Sequence, residues 1–93
     1  MLMDFDWDSS NIDHIARHKV EPEEAEEALE DPYVVPIEPI HRGPRGQRRF
    51  GVVGATESGW LLFVVFELRG EKVRVVTARA ASPEDRLRYE TEE

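Results

Sequence analysis

The spacing of apolar positions changes along the chain, and each change predicts an element. Behind Asp8, placed as an N-cap, Ile12, Ile15 and Ala16 recur at helical spacing, with Trp7 positioned to staple against Ile12. Phe5, Asp6 and Trp7 read as a short strand leading into this helix. Opposite the apolar stripe, Asn11, His14 and His18 stand three and four residues apart, which predicts a polar face open to solvent. A second helix follows. Pro22 suits its first position, Glu24 is at N3, and acidic residues fill a first turn where the helix dipole favours them. Its apolar stripe, Ala25, Ala28 and Leu29, is narrow, and Asp31 before Pro32 ends it.

From Tyr33 onward the pattern is extended. Pro36 and Pro39 place the strand around Tyr33, Val34 and Val35 at a sheet edge, because proline cannot donate to a ladder. Residues 41–47, with Gly43, Pro44 and Gly46, read as a basic loop. A strand over 48–55 and a turn at Glu57, Ser58 and Gly59 lead into 60–68, apolar on both faces as a central strand should be. A turn at Arg69 and Gly70 closes a hairpin onto 73–80, where Val73, Val75 and Thr77 alternate with Arg74, Val76 and Ala78. Ser82 as N-cap, Pro83 at N1 and Asp85 at N3 open a last helix running through Tyr89. The expected fold class is α+β: two N-terminal helices packed on a central antiparallel β-sheet, with a short C-terminal helix. Residues 1–93 are expected to form a single domain, with no internal repeat and no dividing linker.

Composition narrows the function classes. With 40% hydrophobic and 34% charged residues the chain has something to fold around, and its lack of cysteine removes disulfide and thiolate chemistry and fits a reducing compartment, the cytoplasm. The N-terminus is acidic and no apolar run approaches the roughly 20 residues that span a bilayer, so neither a signal peptide nor a membrane partner is expected. A net charge of −8 argues against generic nucleic-acid binding. The charge is nonetheless segregated: residues 1–40 hold 12 acidic and 2 basic side chains, whereas 41–83 hold 8 basic and 3 acidic ones. That asymmetry suits two surfaces or two partners, although an acidic helix is also simply a solvated one.

Several runs resemble a known family. Phe5, Asp6, Trp7 and Asp8, then Arg17, His18 and Val20, then Glu23, Glu24, Ala25, Asp31 and Pro32 are similar to the opening of BrnT-like toxins. Arg49, Phe50 and Gly54 resemble the family's arginine strand. Val76, Thr77, Ala78, Arg79 and Ala81, with Asp85 and Tyr89, resemble its closing strand and helix. The resemblance implies a RelE-like fold, a ribonuclease that cleaves RNA to inhibit translation, with the ribosome as a candidate place of action, and a cognate antitoxin that neutralises it. Contact with DNA would be indirect, through the antitoxin. The alternative is a catalytically weak or inactive module that pairs with an antitoxin for operon autoregulation; a third is an unrelated α+β interaction domain.

Metal-independent RNA cleavage needs a group that draws the proton from a 2′-hydroxyl, positive charge for the phosphorane, and a proton for the departing 5′ oxygen. Arg49 and Arg79 are the candidate phosphate clamps, because guanidinium is a planar, permanently charged fork. His18, His14 and His41 are the candidate proton carriers, with His18 matching the family motif. Asp85 would orient an arginine, and Tyr89 would stack on a base or donate its hydroxyl. Arg42, Arg45, Arg48 and Arg74 would supply general RNA contacts. Structural readings stand beside these. His18 closes a helix, Asp85 caps one, and Arg79 ends a strand at the surface. His14 and His18 have the i, i+4 spacing of a metal site but no evident third ligand, and no phosphate-cradling glycine motif is present, so neither metal nor cofactor is expected.

Overall fold

The computed structural model describes residues 3–37 and 42–91; Pro39 and His41 lie outside them. Three helices and four strands follow in the order α1 (Ser9–Ala16), α2 (Pro22–Glu30), β1 (Val35–Ile37), β2 (Phe50–Ala55), β3 (Leu61–Arg69), β4 (Lys72–Ala80) and α3 (Pro83–Thr91). The strands form one antiparallel meander ordered β1-β2-β3-β4. Phe5 adds a single parallel bridge to Val73, so the predicted first strand is reduced to one contact at the free edge of β4.

The cap assignments follow local chemistry. Asp8 accepts the backbone N–H groups of Ser10 and Asn11, and the Asn11 carbonyl oxygen accepts the N–H of Asp8 at 2.8 Å, closing a capping box. At α2 the Glu24 carboxylate accepts the N–H of Glu21 at 2.9 Å. At α3, Ser82 and Asp85 exchange hydrogen bonds of 3.1 Å. Asp31, where α2 ends, turns outward into the sheet: its Oδ2 accepts the N–H of Ala55 at 2.8 Å and the hydroxyl of Tyr89 at 2.6 Å, and its Oδ1 accepts the N–H of Tyr33.

The core forms where α1 and α2 meet the sheet, with Ile15, Val20, Ala25, Ala28 and Leu29 packing on Leu62, Val64, Val75 and Ala78. Small residues let α2 approach closely, and a Cβ at Gly54 would collide with the backbone of Ala28. Strand β3 is buried on both faces as expected, and β1 is an edge strand that contains Pro36.

Three expectations are corrected. The stripe of α1 is not Ile12, Ile15 and Ala16; Ile15 is fully buried, whereas Ile12 and Ala16 are exposed. Trp7, just before α1, packs against the core, and its indole N–H donates to Glu26 of α2 at 2.7 Å. Nor is Asn11 part of an open polar face, for it is 4% exposed and its amide donates to the carbonyls of Asp6 and Val75, both at 3.0 Å. In β4 the simple alternation also fails. Thr77 pairs with Val65 but Val75 pairs with Phe66, leaving Val76 as an extra residue, a bulge that turns Ala78 rather than Thr77 into the core.

Candidate functional site

Pairing places the charged residues of the sheet on one face. Directly opposed residues share a face, so Glu67 and Arg74 lie together, as do Phe63 and Arg79. Arg74 and Arg79 are five residues apart, an odd spacing that would put them on opposite faces of a regular strand; the bulge at Val76 brings them onto the same one. Arg49, just before β2, joins this face by donating its Nε to Glu67 Oε2 at 2.8 Å.

This face, flanked by α1 and the loop 42–47, forms a groove of about 500 Å³. Five arginines line it: Arg17 from the end of α1, Arg45 from the loop, Arg49, Arg69 and Arg74. His14 lines it too, with Nε2 at 3.2 Å from the hydroxyl of Thr77. Among the described residues, the side chains of Arg17 and Arg45 make no ion pair. The loop is held by Gln47, whose Oε1 accepts the N–H of Arg45 at 2.8 Å and whose Nε2 donates to Glu67 at 3.0 Å.

Glu67 is the floor of the groove, 4% exposed, with Arg69 at 3.6 Å on its other oxygen. Burial by itself raises the pKa of a carboxyl, but the hydrogen bonds from Arg49 and Gln47 and the charges of Arg49 and Arg69 outweigh it, holding Glu67 below the ordinary carboxylate value. Arg74 is bound from the other side. Its guanidinium meets Asp8 at 3.1 Å and Asp6 at 3.5 Å, joining β4 to the start of α1, and the hydrogen bond with Asp8 leads the effects that raise its pKa.

The remaining candidates are spread out. Arg79 lies 4.4 Å over the ring of Phe63 and 3.3 Å from Asp85, beside the start of α3. It shares the face of Arg49, but Phe63, which pairs with Arg79, and Glu67, which binds Arg49, are four residues apart on β3, about 13 Å of strand, and each guanidinium is held by its own carboxylate. The two do not converge on one point. Tyr89 is taken up by Asp31 beside Ala55 at the end of β2; burial and then that hydrogen bond push its pKa up to about 12. His18 is exposed, does not line the groove, and contacts His14 edge to face with ring centres 5.8 Å apart. Arg42 donates to the carbonyl of Gly46 and Arg48 lies over Phe50; neither lines the groove. His41 is outside the described residues.

Sequence reasoning does not single out Gln47, Glu67 or Arg69. Glu67 carried a signal, since a lone acid inside the run Leu61 to Leu68 must either leave the core or find a partner. Among the described residues no group of three or more acidic or histidine side chains is arranged to hold a metal, and no helix is long and apolar enough to cross a membrane.

Fold and groove together define a small α+β protein whose sheet presents guanidinium groups along one face. A family model described as the ribonuclease toxin BrnT of type II toxin-antitoxin systems matches residues 7–85. The chain belongs to that family, whose members are ribonuclease toxins. The match takes in His14, Arg49, Glu67, Arg79 and Asp85 and stops short of Tyr89. No curated protein matches the chain at a significant level.

Proposed function

We propose that this protein is an endoribonuclease toxin that binds RNA across the open sheet face, cleaves it without a metal, inhibits translation, and is neutralised by an antitoxin covering the same face. The observation that carries the reading is the groove: five arginines and a histidine surround a sheet surface in a protein whose net charge is −8. Guanidinium is the side chain best matched to phosphodiester oxygens, and concentrating it on one face creates a local field opposite in sign to the whole molecule.

In this reading Arg49, with Arg45 and Arg69, holds the scissile phosphate, and His14 is the proton carrier within the groove. The 2′-oxygen attacks the adjacent phosphorus as its proton leaves, the bond to the 5′ oxygen breaks, and that oxygen takes up a proton, giving a cyclic phosphate and a 5′-hydroxyl. Arg79 and Asp85 extend the surface for the neighbouring nucleotides, while His18 and Tyr89 act at its margins. The fold is RelE-like, the working compartment is the cytoplasm, the ribosome is a candidate site of action, and DNA is reached only through the antitoxin.

The test is induction of the wild type, Arg49→Ala and His14→Ala in a bacterial host, following growth and RNA integrity. The wild type is expected to arrest growth and fragment RNA, with both effects strongly reduced, though cleavage remains measurable, in the variants; a wild type that leaves RNA whole removes the enzyme reading. A second reading, a binding module that only pairs with an antitoxin, is favoured by the ion pairs that already occupy Arg49, Arg74 and Arg79. It is selected if the chain co-purifies with the product of the adjacent open reading frame and, once separated, cuts no RNA.

A further inference from the structure

Arg49 is attached to the protein by one edge of its guanidinium, in an ion pair whose carboxylate is buried and whose cation is not. Glu67 takes only its Nε, and among the described residues neither Nη nitrogen makes a hydrogen bond. The contact therefore fixes the plane of the guanidinium at its inner edge while the outer edge, two nitrogens wide, stays available at a side chain 26% exposed. The carboxylate beneath it is 5% exposed at the side chain, and the same oxygen accepts from Gln47, which in turn holds the backbone of Arg45.

We infer that Glu67 is a positioning residue of the groove: it orients the Nη edge of Arg49 toward bound phosphate and, through Gln47, sets the place of the loop that carries Arg45. This inference rests on the nuclease reading above. Two alternatives are disfavoured on chemical grounds. As a proton acceptor Glu67 is poorly placed, since one oxygen is occupied by two donors, the other faces Arg69, and the surrounding cations stabilise its charged form. As a device for stability alone it is a poor choice, because a hydrophobic residue at this point of an apolar strand stabilises at least as well as a buried ion pair.

The experiment uses the full chain and a fluorescent single-stranded RNA of mixed sequence, comparing wild type, Glu67→Gln, Arg49→Ala and the double variant. Glu67→Gln keeps the shape and an acceptor but loses the charge that locks Arg49. It is expected to lower kcat about tenfold to a hundredfold, with KM unchanged or reduced because a negative charge has left the groove. In the Arg49→Ala background the same change is expected to have almost no further effect, as it must if Glu67 acts through Arg49. Thermal unfolding of each variant shows whether the fold is intact. The inference is overturned if Glu67→Gln cleaves as well as the wild type, if its defect is equally large without Arg49, or if it is confined to an altered KM. Should the wild type itself cleave nothing, the nuclease reading and this inference fall together; if the wild type cleaves and Glu67→Gln is unaffected, only the inference does.

Discussion

At the scale of single residues, polar side chains in buried places organise this molecule. Asn11 closes the cap of α1 with its oxygen and uses its nitrogen to hold the carbonyls of Asp6 and Val75, so one amide joins helix, entry segment and sheet. Asn11→Ala would leave the Val75 carbonyl buried without a donor, and is expected to cost about 2 to 3 kcal/mol in urea unfolding. Glu67 makes stability depend on acid. Its folded pKa lies below the ordinary 4.5, so its contribution is complete above that value and is lost as pH falls through the folded one. Below about pH 4.5 the wild type should therefore lose melting temperature more steeply than Glu67→Gln, as calorimetry across about pH 5 to pH 3 would show. Parallel slopes would mean that the ion pair adds nothing to the native state.

At the scale of elements, the decisive features are the bulge in β4 and the staple that holds α3. Without the extra residue at Val76, the alternation that puts Val73 and Val75 inward would carry Arg79 inward as well. Helix α3 is thin in apolar contact: Leu87 is 60% exposed and none of its residues is buried, so Asp85 and Tyr89 do much of its attachment. Tyr89→Phe removes a charge-assisted hydrogen bond of 2.6 Å to Asp31 and should cost about 1.5 to 3 kcal/mol. The pH dependence has the opposite sign to that of Glu67. A folded pKa raised from 10.0 to about 12 gives stability that is present below 10.0 and disappears as pH rises through about 12. Ultraviolet titration should show a late ionisation in the wild type that is missing in Tyr89→Phe.

At the scale of the whole molecule, charge is unevenly spread, even though several arginines keep an acidic partner. The acids of α2 face outward around a narrow stripe of Ala25, Ala28 and Leu29, while the arginines gather in the groove beyond the sheet. A net-anionic protein arranged in this way should still bind RNA with a steep dependence on salt, because the counterions released are those of the phosphates in the groove. Replacing Arg45 by alanine should make the slope of log affinity against log salt shallower by about 0.7, the single-strand value for one contact. Fluorescence anisotropy with single-stranded RNA between low and physiological salt measures it; an unchanged slope would place the RNA elsewhere on the molecule.

Local patterns in the chain determined the element order, the caps at Asp8 and Ser82, the end of α2 at Asp31, the edge position of the proline-bearing strand and the segregation of charge. Each depends on neighbours within a few residues, where dihedral preference, hydrogen-bond reach and periodicity are set by the sequence itself. The residues of the family resemblance were legible in the same way. Tertiary structure alone decided which of them stand together: that Asn11 is buried, that Arg49 rests on Glu67 rather than beside Arg79, that Tyr89 belongs to Asp31, and that His14 instead of His18 lines the groove. The physical reason is that partners 18, 58 or 64 residues apart are chosen by strand register and helix placement. A single bulge, invisible in the periodicity of β4, reverses which side chains face the core and which face the groove.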